Sequence, residues 1–157
     1  PKKSGAKDQP INVCGVGKLL TYMANCCKPV PGDDIIGFIT QGHGVSVHRP
    51  DCANILNLEH DKQKQLISVE WADHDNQTFE INLAIQAIDR NGLLKDMTNI
   101  LSDLKVNVLS IQTLTNKDTQ IADIQIMMEI KDLEQLQKVT DKIMQLPNVL
   151  KVYRQNA

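Results

Sequence analysis

Aromatic side chains are scarce: two Phe, two Tyr and one Trp make up 3% of the 157 residues. Aliphatic side chains must therefore fill any core, and a surface that reads bases by stacking them on several rings is disfavoured. The chain also lacks an apolar run of membrane-spanning length and shows no secretory leader, so a reduced, soluble, cytoplasmic protein with no membrane partner is expected. A strong excess of either charge is missing too. The net charge is −2, with eight Lys/Arg against seven Asp/Glu up to residue 71 and nine against twelve beyond it. Neither half is a polycation, and any nucleic-acid contact has to come from a local patch. Gly15-Val16-Gly17-Lys18 has neither the spacing nor the following Ser/Thr of a phosphate-cradling loop.

What the chain does have is a chemistry-bearing stretch, MANCCKPVPGDDIIGFITQGHGVSVHRPDCANIL, from Met23 to Leu56. Cys26 and Cys27 are adjacent, and His48 and Cys52 follow with three residues between them, so three thiols and one imidazole can converge. That is the donor set of a closed, structural Cys3His zinc site. Leu19, Leu20, Met23 and Cys27 fall at helical spacing ahead of Lys28-Pro29, which predicts a helix ending at the two cysteines. Pro50 suits the first position of a second helix over Pro50 to Leu58. Cys52 would then lie in its first turn, where the helix end favours a thiolate. Lys28 and Arg49 flank the donors and would offset the net negative charge of three thiolates around one Zn²⁺. Two alternatives stay open on spacing alone: buried free cysteines, and a Cys26–Cys27 disulfide. Cys14, His43, His60 and His74 are rival ligands, with His43 in a glycine-flanked turn that should point outward.

The surrounding pattern predicts an α+β chain. Residues 1–13 are a polar tail or linker. Residues 14–74 form a small metal-stabilised helix-hairpin-helix module, with strands Ile35 to Thr40 and Gly44 to His48, a further strand from Leu66 to Trp71, and too little apolar surface for a core of its own. Asp73 to Thr78 is the polar break. Residues 75–157 then read as strand (from Phe79), helix (Leu93 to Leu104, apolar at Leu94, Met97, Ile100, Leu101 and Leu104), strand (Val106 to Thr115), strand (Ile121 to Ile130), helix (Leu133 to Leu146) and strand (Val149 to Arg154). This is βαββαβ, the ferredoxin-like order. An RNA-reading version needs exposed aromatics, and this module has only Phe79 and Tyr153; a metal-chaperone version needs a cysteine pair, and it has none. The turn Asp89, Arg90, Asn91, Gly92, Leu93 enters a helix N-terminus and can hold an amino-acid ligand; the plainer reading is a glycine turn with Asn91 as N-cap.

CCKPVPGD, GFITQGHGVSVHRPDC and DRNGLLKD together resemble the C-terminal regulatory end of long RelA/SpoT-type proteins, the (p)ppGpp synthetases of the stringent response, closer to the RelA branch than to SpoT. The resemblance covers roughly residues 14 to 155. It implies a zinc-finger or conserved-cysteine domain with ligands at Cys26, Cys27, His48 and Cys52, and Asp51 inside the same motif, followed by an ACT domain. It also implies that this fragment is not itself an enzyme: the synthetase domains lie upstream in the family. The implied role is to dock a GTP pyrophosphokinase on stalled ribosomes through ribosomal RNA and protein, with Lys28, His43 and Arg49 gathered on one exposed face, and to restrain the synthetase domains by intramolecular contact. The alternative is amino-acid sensing, with a branched-chain amino acid bound at Asp89 to Leu93 in an ACT homodimer. A catalytic zinc is disfavoured, because three thiolates and an imidazole leave no open position.

Overall fold

The computed structural model describes residues 10–13, 20–42, 44–72 and 77–155. They divide into two compact units, one up to Gln77 and one over Thr78–Gln155. Among the described residues no helix is long and apolar enough to cross a membrane.

The first unit is built from strands rather than helices. β1 (Ile11–Val13) pairs with β6 (Val69–Trp71), and β2 (Thr21–Met23), β3 (Ile36–Thr40), β4 (Gly44–His48) and β5 (Leu66–Ile67) form a sheet in the order β2-β4-β3-β5. β3 and β4 make the expected hairpin, Ile36 opposite His48 and Thr40 opposite Gly44. Gly42 and Gly44 take positive φ at its tip, the conformation that glycine adopts without a Cβ penalty. His43 lies outside the described residues, as do Cys14 and His74.

Three expectations for this unit fail. The helix predicted to end at Cys26 and Cys27 is, over its described part, the strand β2, running parallel to β4 with Thr21 opposite Val45 and Met23 opposite Val47. Leu20, Met23 and Cys27 do fall at helical spacing. However, the free edge of β4 offers ladder hydrogen bonds, Val45 N to Leu20 O at 2.8 Å and Ala24 N to Val47 O at 3.0 Å, and this tertiary partner overrides a short local pattern. The predicted Pro50 to Leu58 helix shortens to α1 (Ala53–Leu56), with Cys52 at its N-cap. The Leu66 to Trp71 strand breaks at Ser68, because its halves serve different partners, β3 and β1.

The unit also owns a small core, which a helix-hairpin-helix would not. Ile11, Val45, Val47 and Val69 are buried together, with Val13, Met23, Ile35, Ile39, Ile67 and Trp71 packed against them. Gly37 completes it by absence: a Cβ there would stand 2.8 Å from both Val45 Cγ1 and Val69 Cγ1. Trp71 donates its indole N–H to Asp33 O at 2.9 Å. The only tryptophan therefore belongs to this unit's interior packing.

The second unit follows the sequence pattern closely. β7 (Phe79–Ile88), α2 (Leu93–Asp103), β8 (Asn107–Asn116), β9 (Ile121–Ile130), α3 (Leu133–Met144) and β10 (Val149–Arg154) give an antiparallel sheet in the order β10-β7-β9-β8. Strict alternation drives this: Ile81, Leu83 and Ile85 of β7 and Ile124, Ile126 and Met128 of β9 are buried, one face of a period-2 pattern. Leu93, Met97 and Leu101 of α2 and Leu136, Val139 and Ile143 of α3 are buried as well. α2 begins at Leu93 as expected, behind Gly92 at φ 79°, and Met97 and Leu101 of the expected face are buried, but its first turn buries Leu93 while Leu94 is 43% exposed. α3 begins at Asp132, whose carboxylate accepts from Gln135 N at 2.8 Å while Gln135 Oε1 accepts from Lys131 N at 2.7 Å. This is a near-reciprocal cap.

Candidate metal centre

Parallel pairing of β2 with β4 brings the C-terminal ends of both strands to the same side. Beyond β2 the chain turns at once: Lys28 N bonds Ala24 O at 2.9 Å, and Lys28 takes φ 45°. This presents Cys26 and Cys27 beside His48, the last residue of β4. Four residues later, Cys52 N bonds Arg49 O at 3.0 Å, which folds Cys52 back as the N-cap of α1. The convergence of four donors scattered over 27 residues thus comes from one strand pairing and two tight turns.

The ligand atoms of Cys26, Cys27, His48 and Cys52 all lie within 4.8 Å of one another, and among the described residues they form the one group of this kind. Cys26 Sγ is 4.0 Å from Cys27 Sγ, 3.5 Å from Cys52 Sγ and 3.3 Å from His48 Nδ1, while Cys27 Sγ is 3.8 Å from the same Nδ1. A tetrahedral ion with thiolate bonds of about 2.3 Å and imidazole bonds of about 2.0 Å sets neighbouring donors about 3.6–3.8 Å apart. The cluster fits such an ion. Cys27, Cys52 and His48 are buried, and Cys26 is half-buried. His60, the remaining rival in the described residues, sits on an exposed 3-10 turn, His60–Gln65, away from the cluster.

The electrostatics run the same way. Burial pushes the Cys27 thiol up to about 12; the Arg49 backbone N–H, 3.3 Å from its sulfur, pulls against this, and the neighbouring sulfurs of Cys26 and Cys52 add to it. Burial also holds His48 below its ordinary value, which keeps the imidazole neutral, as a ligand must be. The buried Cys27 thiol therefore ionises readily only when a cation supplies the missing positive charge.

His48 is oriented from behind. Its Nε2 is 3.0 Å from Ser46 Oγ, which in turn is 3.4 Å from Phe38 O. If Nε2–H donates to the hydroxyl and the hydroxyl donates to the carbonyl, Nδ1 is left with its lone pair facing the three sulfurs. Such partners of a ligating histidine are worth 10–100-fold in metal affinity. Ser46→Ala should therefore weaken metal binding by roughly that factor while all four donors stay in place, as measured by competition against a chromogenic chelator; an unchanged affinity would remove Ser46 from the site. The residue pattern held no sign of this role, since Ser46 reads as an ordinary strand residue.

Other predicted residues are placed less favourably. Arg49 is enclosed, its side chain only 14% exposed and its Nε 3.8 Å from Asp51 Oδ1. Lys28 is half-buried. Neither Lys28 nor Arg49 is fully exposed, and the third residue of the expected basic face, His43, lies outside the described residues. Nor does a four-residue α1 supply the helix-end field anticipated at Cys52. In the second unit, the N-cap of α2 is Gly92 rather than Asn91. Arg90 spends its guanidinium on Asp96 Oδ2, at 2.7 Å, and on Asn91 O, at 3.2 Å. Leu93 points into the core. Of the five residues proposed for an amino-acid ligand, Asp89 and Asn91 keep carboxylate and amide side chains at the exposed turn.

Comparison with known proteins places both units. Residues 75–154 match the ACT domain family and residues 11–72 the RelA/SpoT RIS domain. The chain is 37% identical over 154 residues to a GTP pyrophosphokinase of Escherichia coli K12, covering 98% of this chain and 21% of that protein. It is 39% identical over 153 residues to the GTP pyrophosphokinase of Streptomyces coelicolor, covering 98% and 18%. It thus spans about a fifth of the length of the curated relatives it matches. Among solved structures, the ACT domain of a Chlorobium tepidum GTP pyrophosphokinase is 26% identical with a TM-score of 0.44, over 50% of this chain and 99% of that one. The chain belongs to the ACT domain family and, with a RelA/SpoT RIS domain ahead of the ACT domain, is the RIS and ACT region of a RelA/SpoT-type protein.

Proposed function

We propose that this region is the regulatory, non-catalytic part of a stringent-response GTP pyrophosphokinase, and that its RIS unit is a zinc-organised module that docks the parent enzyme on stalled ribosomes and restrains its synthetase when undocked. The observation that carries the reading is the 37% identity sustained over 98% of the chain to a protein of that name. The Cys3His donor set supports a structural role for the ion, since four protein donors close a tetrahedron and leave no position for water or substrate. Zinc is favoured by the thiolate-rich, four-donor geometry. Bound there, it would link the turn after β2, the end of β4 and the start of α1, through Cys26, Cys27, His48 and Cys52.

The test is sedimentation with purified ribosomes. The chain should co-sediment with ribosomes and not with random duplex RNA, and binding should fall as salt rises because part of it is made to phosphates. Stripping zinc with a chelator should abolish it. Equal affinity for both RNAs, or ribosome binding untouched by zinc removal, would rule out the RIS unit as the docking element. Because the net charge is slightly negative, selectivity would come from shape, as for other structured RNAs.

A further inference from the structure

The geometry points to Cys26 and Cys52 as a reversible thiol–disulfide pair, a modification site open to peroxide, whose oxidation and the metal binding proposed above exclude each other. Cys26 Sγ lies 3.5 Å from Cys52 Sγ, close to contact, and 4.0 Å from Cys27 Sγ. The two residues come from different turns, so a bond between them does not have to distort the intervening backbone. Adjacent Cys26 and Cys27 would close an eight-membered ring through their own peptide, a strained arrangement. Cys27 is further set apart by the Arg49 N–H on its sulfur and by its burial, at 4% exposure. Cys26 is half-buried while Cys27 and Cys52 are buried, so a small oxidant in solvent meets Cys26 first, with Cys52 Sγ 3.5 Å away as the resolving thiol.

The chemistry balances with hydrogen peroxide as the oxidant. Cys26 sulfur, as thiolate, attacks one peroxide oxygen; the O–O bond breaks and hydroxide leaves, to be protonated to water, giving a sulfenic acid at Cys26. Cys52 sulfur then attacks that sulfur, the S–S bond forms, the S–O bond breaks, and a second water is released. Two thiols lose two electrons and peroxide gains them. Oxidation removes two of the four donors and leaves Cys27 and His48, too few to hold the ion. A zinc-loaded cluster and an oxidised one are then alternative states of the same unit, and only a reductant together with zinc restores the first.

The metal half of this inference rests on the proposed zinc site, whereas the disulfide half does not, and the experiment separates them. The chain is exposed to hydrogen peroxide both zinc-loaded and zinc-free. Disulfides are mapped by proteolysis and mass spectrometry, and released zinc is read with a chromogenic chelator. The expected result is a Cys26–Cys52 linkage in both samples, one zinc released per disulfide formed, and recovery on adding dithiothreitol and zinc. A linkage through Cys14 or Cys27 instead, or oxidation to sulfinic and sulfonic acids with no disulfide in the zinc-free chain, would overturn the pair even if zinc binds normally. A disulfide that forms while zinc stays bound would overturn the mutual exclusion. A chain that takes up no zinc yet forms the Cys26–Cys52 bond would leave the pair standing and defeat the zinc reading alone.

Discussion

Cys52→Ser should lose zinc and loosen the first unit while leaving the ACT unit folded. Structural zinc sites contribute apparent free energies of about 10–16 kcal/mol, shared among four donors, so removing one thiolate should cost about 2.5–4 kcal/mol, or about two to three orders of magnitude in affinity. The burial of Cys52, at 2% exposure, sharpens the effect, because a serine hydroxyl there is both a poorer donor and an enclosed polar group. The two units can be read separately. Trp71 is the only tryptophan and belongs to the first unit, packed on the cluster of Ile11, Val45, Val47 and Val69, so its emission reports on that unit. Amide NMR of β7 to β10 reports on the other. Emission should shift toward that of solvated indole in Cys52→Ser, with the ACT amide spectrum unchanged. Equal zinc content and equal affinity in wild type and variant would remove Cys52 from the ligand set, and loss of the ACT spectrum would show that the two units do not fold independently.

The second large effect is expected at Gly44, which no chemistry marks out. It takes φ 82°, and a Cβ on it would collide with the backbone carbonyl of Leu20. That carbonyl accepts from Val45 N at 2.8 Å, the bond that opens the β2–β4 pairing. Gly44→Ala therefore meets a strained backbone, of order 1–3 kcal/mol, and a clash with main chain that cannot swing aside like a side-chain end. Relief requires β2 to move off β4. Because that pairing brings Cys26 and Cys27 beside His48, the substitution should destabilise the first unit by about 2–4 kcal/mol and weaken zinc binding without touching a ligand. Denaturant unfolding followed by Trp71 emission measures the first effect and chelator competition the second. Gly42 is the control: it also has positive φ, but nothing lies within 4 Å of its Cβ position, so Gly42→Ala should show strain and keep its zinc affinity. If the two alanine variants bind zinc equally, the β2–β4 approach is not what assembles the site.

The ACT unit and the four clustered residues Cys26, Cys27, His48 and Cys52 were legible in the residue pattern. In β7 and β9, ten residues each, alternation is long enough that one register buries Phe79, Ile81, Leu83, Ile85 and Ala87 together with Ala122, Ile124, Ile126, Met128 and Ile130, and a one-residue slip would turn these to solvent. The helices are equally explicit, since Asp132 and Gln135 mark the start of α3 and Leu136, Val139 and Ile143 its buried stripe. Cysteine and histidine chemistry is readable without coordinates because few residue types donate to a soft ion. How those residues meet was not legible there, because it depends on strand pairing. A three-residue strand carries too little periodic information to be told from the end of a helix, and β2 became a strand because β4 had an open edge to satisfy. From that nonlocal hydrogen bonding follow the side on which Cys26 and Cys27 emerge, the short Cys26–Cys52 separation, the enclosure of Arg49 and the role of Ser46 behind His48. None of these is a property of a local segment, because each depends on which strand lies beside which.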